Sequence, residues 1–217
     1  MAMGALSQPS SMSNSFMRYG WIMLSLGILA AGRVFTAGFF PNAFLDFILL
    51  FMIPASFILL SGRRLHDFLL SFGSVKRGLA YSAAIFALAV PFMVYGSGLD
   101  SFRGYYPLWK PAYGSLSDFL LYELAVAVML FSTEFFYRGF LLGFLKEKTR
   151  HGNIIHAVIY SLMHLGKPML EVPYSFFAGF VFGEIDVRCR SILPSFLMHF
   201  LGNLFFDLLF IYAGASG

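Results

Sequence analysis

Three pairs of polar residues, each four positions apart in apolar surroundings, have the types and spacing to do chemistry. Glu134 and Arg138 stand in S-T-E-F-F-Y-R-G, Tyr160 and His164 in Y-S-L-M-H, and His199 and Asn203 in H-F-L-G-N. On a helix each pair shares a face. A carboxylate and an imidazole can together deprotonate water, while a second imidazole and an amide donate hydrogen bonds to a developing oxyanion, which is the equipment for hydrolysing a peptide bond. Ser132, Thr133 and Ser161 lie nearby, but spacing reveals no acid–His relay beside them, so no serine-type nucleophile stands out. The bland alternative for each pair is structural, an ion pair or a packed histidine locking two helices.

The elements that must carry these groups are membrane helices. Of 217 residues, 59% are hydrophobic and 12% charged, against about 25% charged in soluble domains, and the mean hydropathy is +0.75. Apolar segments run at about 19–40, 42–61, 77–96, 117–146, 152–168, 172–187 and 191–213, with a break near Arg33 as an option. They predict an all-α, polytopic transmembrane bundle of about seven spanning helices, within a range of six to eight, forming one domain over 18–217. Residues 1–17, rich in Ser and without apolar period, read as a disordered tail lacking the features of a secretory signal. Counted inward from the segment ends, Glu134, His164 and Asn203 all lie about 12 residues deep, or about 18 Å, with Arg138 and His199 about a turn away. Three helices thus deliver polar groups to one level, which predicts a shared cavity. Two small-residue pairs, Gly139 with Gly143 and Gly179 with Gly183, would let neighbouring segments approach closely.

Charge placement sets the expected orientation. With a cytoplasmic N-terminus, Arg18, Arg63, Arg64, Lys76, Arg77, Lys146, Lys148, Arg150, Arg188 and Arg190 all fall inside, leaving Arg33, Arg103, Lys110 and Lys167 outside. The net charge of +4 is therefore read as membrane topology and not as a nucleic-acid surface; the partners expected are the lipid bilayer and a peptide or membrane-protein substrate. The longest external connection, 96–116, carries Tyr105, Tyr106, Trp109 and Tyr113, suited to an interfacial aromatic belt or a lid. Cys189 is alone, which excludes an internal disulfide. No internal repeat, P-loop, paired-cysteine motif or dinucleotide fingerprint is present, and the lack of inverted repeats disfavours a transporter using the buried charges as an ion relay.

The three motifs resemble, in order and spacing, the CPBP family of intramembrane proteases, which includes the CAAX prenyl endopeptidases of the Ras-converting type and bacterial proteins linked to bacteriocin self-immunity. The family pattern is two adjacent glutamates with an arginine four beyond the second, an aromatic four before a histidine, and a histidine four before an asparagine. T-E-F-F-Y-R-G, Tyr160 to His164, and His199 to Asn203 match it, and F-A-G-F-V-F-G-E is similar to the family's glycine-containing penultimate helix; the likeness covers about 120–210. It implies an integral membrane endopeptidase, in a prokaryotic plasma membrane by its compact length, with His164 helping to activate water and His199 and Asn203 forming the oxyanion hole. Glu134 and Arg138 correspond to the second glutamate and the arginine. The first glutamate, the family's general base, is Thr133 here. A threonine is no base at neutral pH, so either Glu134 takes over through a local change in helix winding, or the chain is a catalytically impaired member that binds a partner or confers immunity. No cofactor is expected; were zinc used instead, its ligands would be Glu134, His164 and His199. Glu184 is read as an interface residue.

Overall fold

The structure, a computed structural model, describes residues 11–34 and 38–215, and among them every regular element is a helix. The fold is an all-α membrane bundle. Seven principal helices follow one another among the described residues: α1 Ser11–Val34, α2 Phe39–Leu60, α4 Leu116–Lys148, with α3 Val75–Ser97 between them, then α5 Gly152–Leu162, α6 Glu171–Cys189 and α7 Leu193–Ala215. α2, α3, α4 and α7 contain stretches long and apolar enough to cross a bilayer, while α5 and the apolar part of α1 are shorter. Outward-facing side chains such as Leu88, Phe92, Leu120 and Leu124 are exposed although apolar, as lipid-facing positions require.

Three boundaries depart from the sequence reading. Ser11 to Met17, read as tail, is already helical, and residues 1–10 of that tail lie outside the described residues. The first two apolar segments divide between Val34 and Phe39, close to the optional break at Arg33, whose side chain is also outside the described set. The segment expected over 152–168 ends at Leu162. Gly166, at a φ of 96°, and Pro168 turn the chain back there into α6; glycine enters that backbone region without a Cβ penalty, and proline offers no N–H to continue a helix. α5 and α6 form a close antiparallel hairpin. A Cβ on Gly179 would stand 3.0 Å from the Tyr160 ring, and one on Gly183 would overlap the Asn153 side chain, whose Nδ2 donates to the Phe180 carbonyl at 3.0 Å.

The other small-residue pair works differently. Gly139 and Gly143 seat the short 3-10 turn Leu65–Phe68 of a connecting loop and not a spanning helix: a Cβ on Gly139 would lie 2.7 Å from the Phe68 carbonyl oxygen, and one on Gly143 2.9 Å from the Phe68 ring. Phe68 is buried there with Trp21, Ile58, Phe135, Phe136, Phe140 and Phe144 in the largest apolar core. The same loop, between α2 and α3, is tied to the end of α6 by Ser74 N–H to Cys189 O at 2.8 Å and to the start of α7 by Ile192 N–H to Leu69 O at 3.0 Å. One end of the bundle therefore collects the ends of α2, α4 and α6 and the starts of α3, α5 and α7. α7 runs antiparallel to α4, as Phe131 against Phe196 and Tyr113 against Asp207 require.

Candidate active site

The site forms where α4 changes its winding. Immediately after Glu134 the helix widens into a π-type stretch, Phe135–Leu141, an irregularity that clusters at functional sites because it re-aims side chains without ending the helix. Within it Arg138 returns to Glu134, with Nη1 at 3.2 Å from Oε1 and Nε at 3.1 Å from Oε2. Both side chains are 0% exposed. A charge this deep is tolerable only when paired, and here each ion is the other's main compensation.

α7 supplies the third member. His199 Nδ1 lies 2.7 Å from Glu134 Oε1. A carboxylate only accepts, so the partner assigns the hydrogen to Nδ1 and leaves Nε2 as the working nitrogen. The His199 side chain is 28% exposed, so the imidazole is accessible where the carboxylate behind it is not. α5 supplies the other branch. The Tyr160 ring lies beneath the Arg138 guanidinium, 4.0 Å from Cζ to the ring centroid, and packs against the Tyr137 ring at 5.1 Å and the His164 ring at 4.7 Å, both edge to face. His164 Nδ1 lies 2.9 Å from the Tyr160 carbonyl oxygen. A carbonyl also only accepts, so His164 too presents Nε2 as its free nitrogen. Because His164 is just beyond the end of α5, in the turn and not inside a spanning helix, its ring is held by one backbone contact and one aromatic edge.

The structure thus brings together Glu134, Arg138, His199, Tyr160 and His164. Asn203 shares the His199 face of α7, but its amide bonds to a different residue, from Nδ2 to Asp207 Oδ2 at 2.6 Å. Thr133 donates to the Met129 carbonyl of its own helix at 2.9 Å, and Ser132 and Ser161 likewise donate to the carbonyls of Val128 and Val172. Glu184 is exposed and paired with Arg188 at 2.7 Å. Two residues of the neighbourhood escaped sequence reading. Asp186, fully buried beside Arg138, accepts from the Ser195 N–H at 3.2 Å and stands two positions after the Glu184 that drew attention. Asp207, 1% exposed, continues the four-residue spacing of His199 and Asn203, a signal that was present.

The ligand set foreseen for zinc does not fit the geometry. Glu134 Oε1 is already shared by His199 and Arg138, whose guanidinium would repel a cation, and among the described residues no three His, Cys, Asp or Glu side chains gather as a metal-holding group.

Helical fold and apolar spans together define a polytopic helical membrane protein with an acid–imidazole–arginine centre buried inside it. Residues 115–205 match the sequence model of the family described as Type II CAAX prenyl endopeptidase Rce1-like. Comparison with curated proteins and with solved structures returned no match.

Proposed function

We propose that the protein hydrolyses a peptide bond of a hydrophobic or membrane-associated substrate, with water as the nucleophile. The observation that carries this reading is the 2.7 Å bond from His199 to Glu134, which joins the first and third motifs around a buried, arginine-neutralised carboxylate. In place of the water-activating part that the spacing suggested for Glu134, we assign it the orientation of His199, because the carboxylate is 0% exposed and the oxygen that faces His199 already accepts from both His199 and Arg138. His164 Nε2 then takes a proton from water as the water oxygen adds to the scissile carbonyl carbon. His199, carrying a proton on Nε2 with the Glu134 carboxylate behind Nδ1, meets the resulting oxyanion together with the free N–H of Asn203. The imidazolium of His164 passes its proton to the departing nitrogen as the C–N bond breaks.

The substrate class follows from the family alone: a lipid-modified or membrane-tethered peptide, of which a prenylated C-terminal peptide is the first to test. The end of the bundle that bears Arg63, Arg64, Lys76, Arg77, Lys146, Lys148, Arg150, Arg188 and Arg190 is taken to face the cytoplasm, by charge bias.

A second reading rests on Thr133. With the family's usual base replaced by a hydroxyl bound to its own helix, the protein would hold a peptide or partner without cutting it. Reconstitution into liposomes with a peptide library that includes prenylated members separates the two. Cleavage by the native protein that is lost in His164→Ala and in Glu134→Ala supports the enzyme, whereas cleavage that arises only in Thr133→Glu supports the binding or immunity factor.

A further inference from the structure

A second buried cluster lies two helical turns along α7 from His199. Asp207 is its centre. The carboxylate accepts Tyr113 O–H at 2.6 Å through Oδ1 and Asn203 Nδ2–H at 2.6 Å through Oδ2. Glu123 of α4, 6% exposed, faces the same carboxylate, and neither of its oxygens receives a hydrogen bond from another donor. Two carboxylates facing one another in an apolar interior repel, so Asp207 depends on the donors that reach it. Tyr113 lies outside the spanning segments. Burial and the adjacent Asp207 push its phenol well above the ordinary value, so it remains a donor at any working pH.

We infer that Asp207 is a positioning residue that fixes which end of the Asn203 amide serves as donor, with Tyr113 and Glu123 holding Asp207 in place. An amide flips between its oxygen and nitrogen ends at little cost unless a neighbour discriminates, and a carboxylate accepts only from the N–H end. One N–H of Asn203 is committed to Asp207, which fixes the amide plane and leaves the second N–H as the donor that remains. The link also connects the 98–115 loop to the site. That loop is fastened again by Tyr106 O–H to Glu171 Oε1 at 2.8 Å and by Leu108 N–H to Tyr122 Oη at 3.4 Å.

The inference rests on the proposed peptidase reading for its consequence, but its geometry can be tested without turnover. The chain has four asparagines, so a spectrum of protein labelled with 15N at asparagine shows four side-chain amides, and Asn203→Asp assigns one of them. In Asp207→Asn, which adds a fifth amide signal of its own, the Asn203 amide should shift while the other three native ones stay, and in Tyr113→Phe it should shift less. An Asn203 amide indifferent to both substitutions overturns the inference, whether or not the protein cleaves anything. With a cleavable peptide in hand, Asp207→Asn should lower kcat about tenfold at nearly unchanged KM. The Asn203→Ala, Asp207→Asn double variant should then be no slower than Asn203→Ala alone. Additive losses in that pair would mean that Asp207 acts elsewhere, against the inference.

Discussion

The pair α4 and α7 carries two buried acidic clusters that differ in how their charge is met. At Glu134 the neighbour is a guanidinium, the carboxylate is fully ion-paired, and the residue it orients, His199, is left accessible. At Asp207, which Glu123 faces, the partners are a tyrosine and an asparagine, so neutral hydrogen-bond donors stand where the first cluster has a cation. An arginine fixes a permanent charge in the bundle and favours chemistry in which charge develops beside it; neutral donors on a carboxylate fix geometry. On the proposed function the first cluster is the reaction centre and the second its brace.

The sharpest way to break this contrast is at the imidazoles. His199→Ala and His164→Ala should each lower peptide cleavage in proteoliposomes by about 10² to 10⁴, whereas substitutions in the Asp207 cluster should cost far less. Equal losses in both regions would erase the distinction. Next in size is the ion pair itself. Arg138→Met leaves Glu134 buried and uncompensated and should destabilise the protein by about 3–5 kcal/mol, read by thermal denaturation in detergent, while the Glu134→Gln, Arg138→Met double variant should recover part of that. A packing test follows. Gly139→Ala places a methyl against the Phe68 carbonyl, and overpacking of this kind costs about 1–3 kcal/mol; the melting temperature should fall with little change in KM. The smallest effect belongs to Glu184→Gln, which removes an exposed pair and should leave melting and cleavage alike where they were.

Much of the bundle was legible because its causes are local. A backbone in lipid must satisfy its own hydrogen bonds, so apolar runs of the right length become helices and the helices at 75–97, 116–148 and 193–215 fall close to their expected bounds. The segment over 152–168 was overextended because its apolar pattern runs on past Leu162, while the reversal is decided by Gly166 and by the hairpin that α5 makes with α6. Asp207 was overlooked because a lone acid near the end of an apolar run shows its value only when a tyrosine from a distant loop is found beside it.

Sequence by itself determined that Glu134 and Arg138 share a face, that Tyr160 stands one turn before His164, and that His199 and Asn203 align along one helix, because a helix repeats every 3.6 residues whatever surrounds it. Tertiary structure alone decided that Glu134 turns to His199 across 65 positions of chain, that Tyr160 lies between Arg138 and His164, and that Asn203 turns to Asp207. Those choices belong to the π-type winding after Glu134 and to the packing of α4 against α7, where several helices must satisfy one another's buried charges at once.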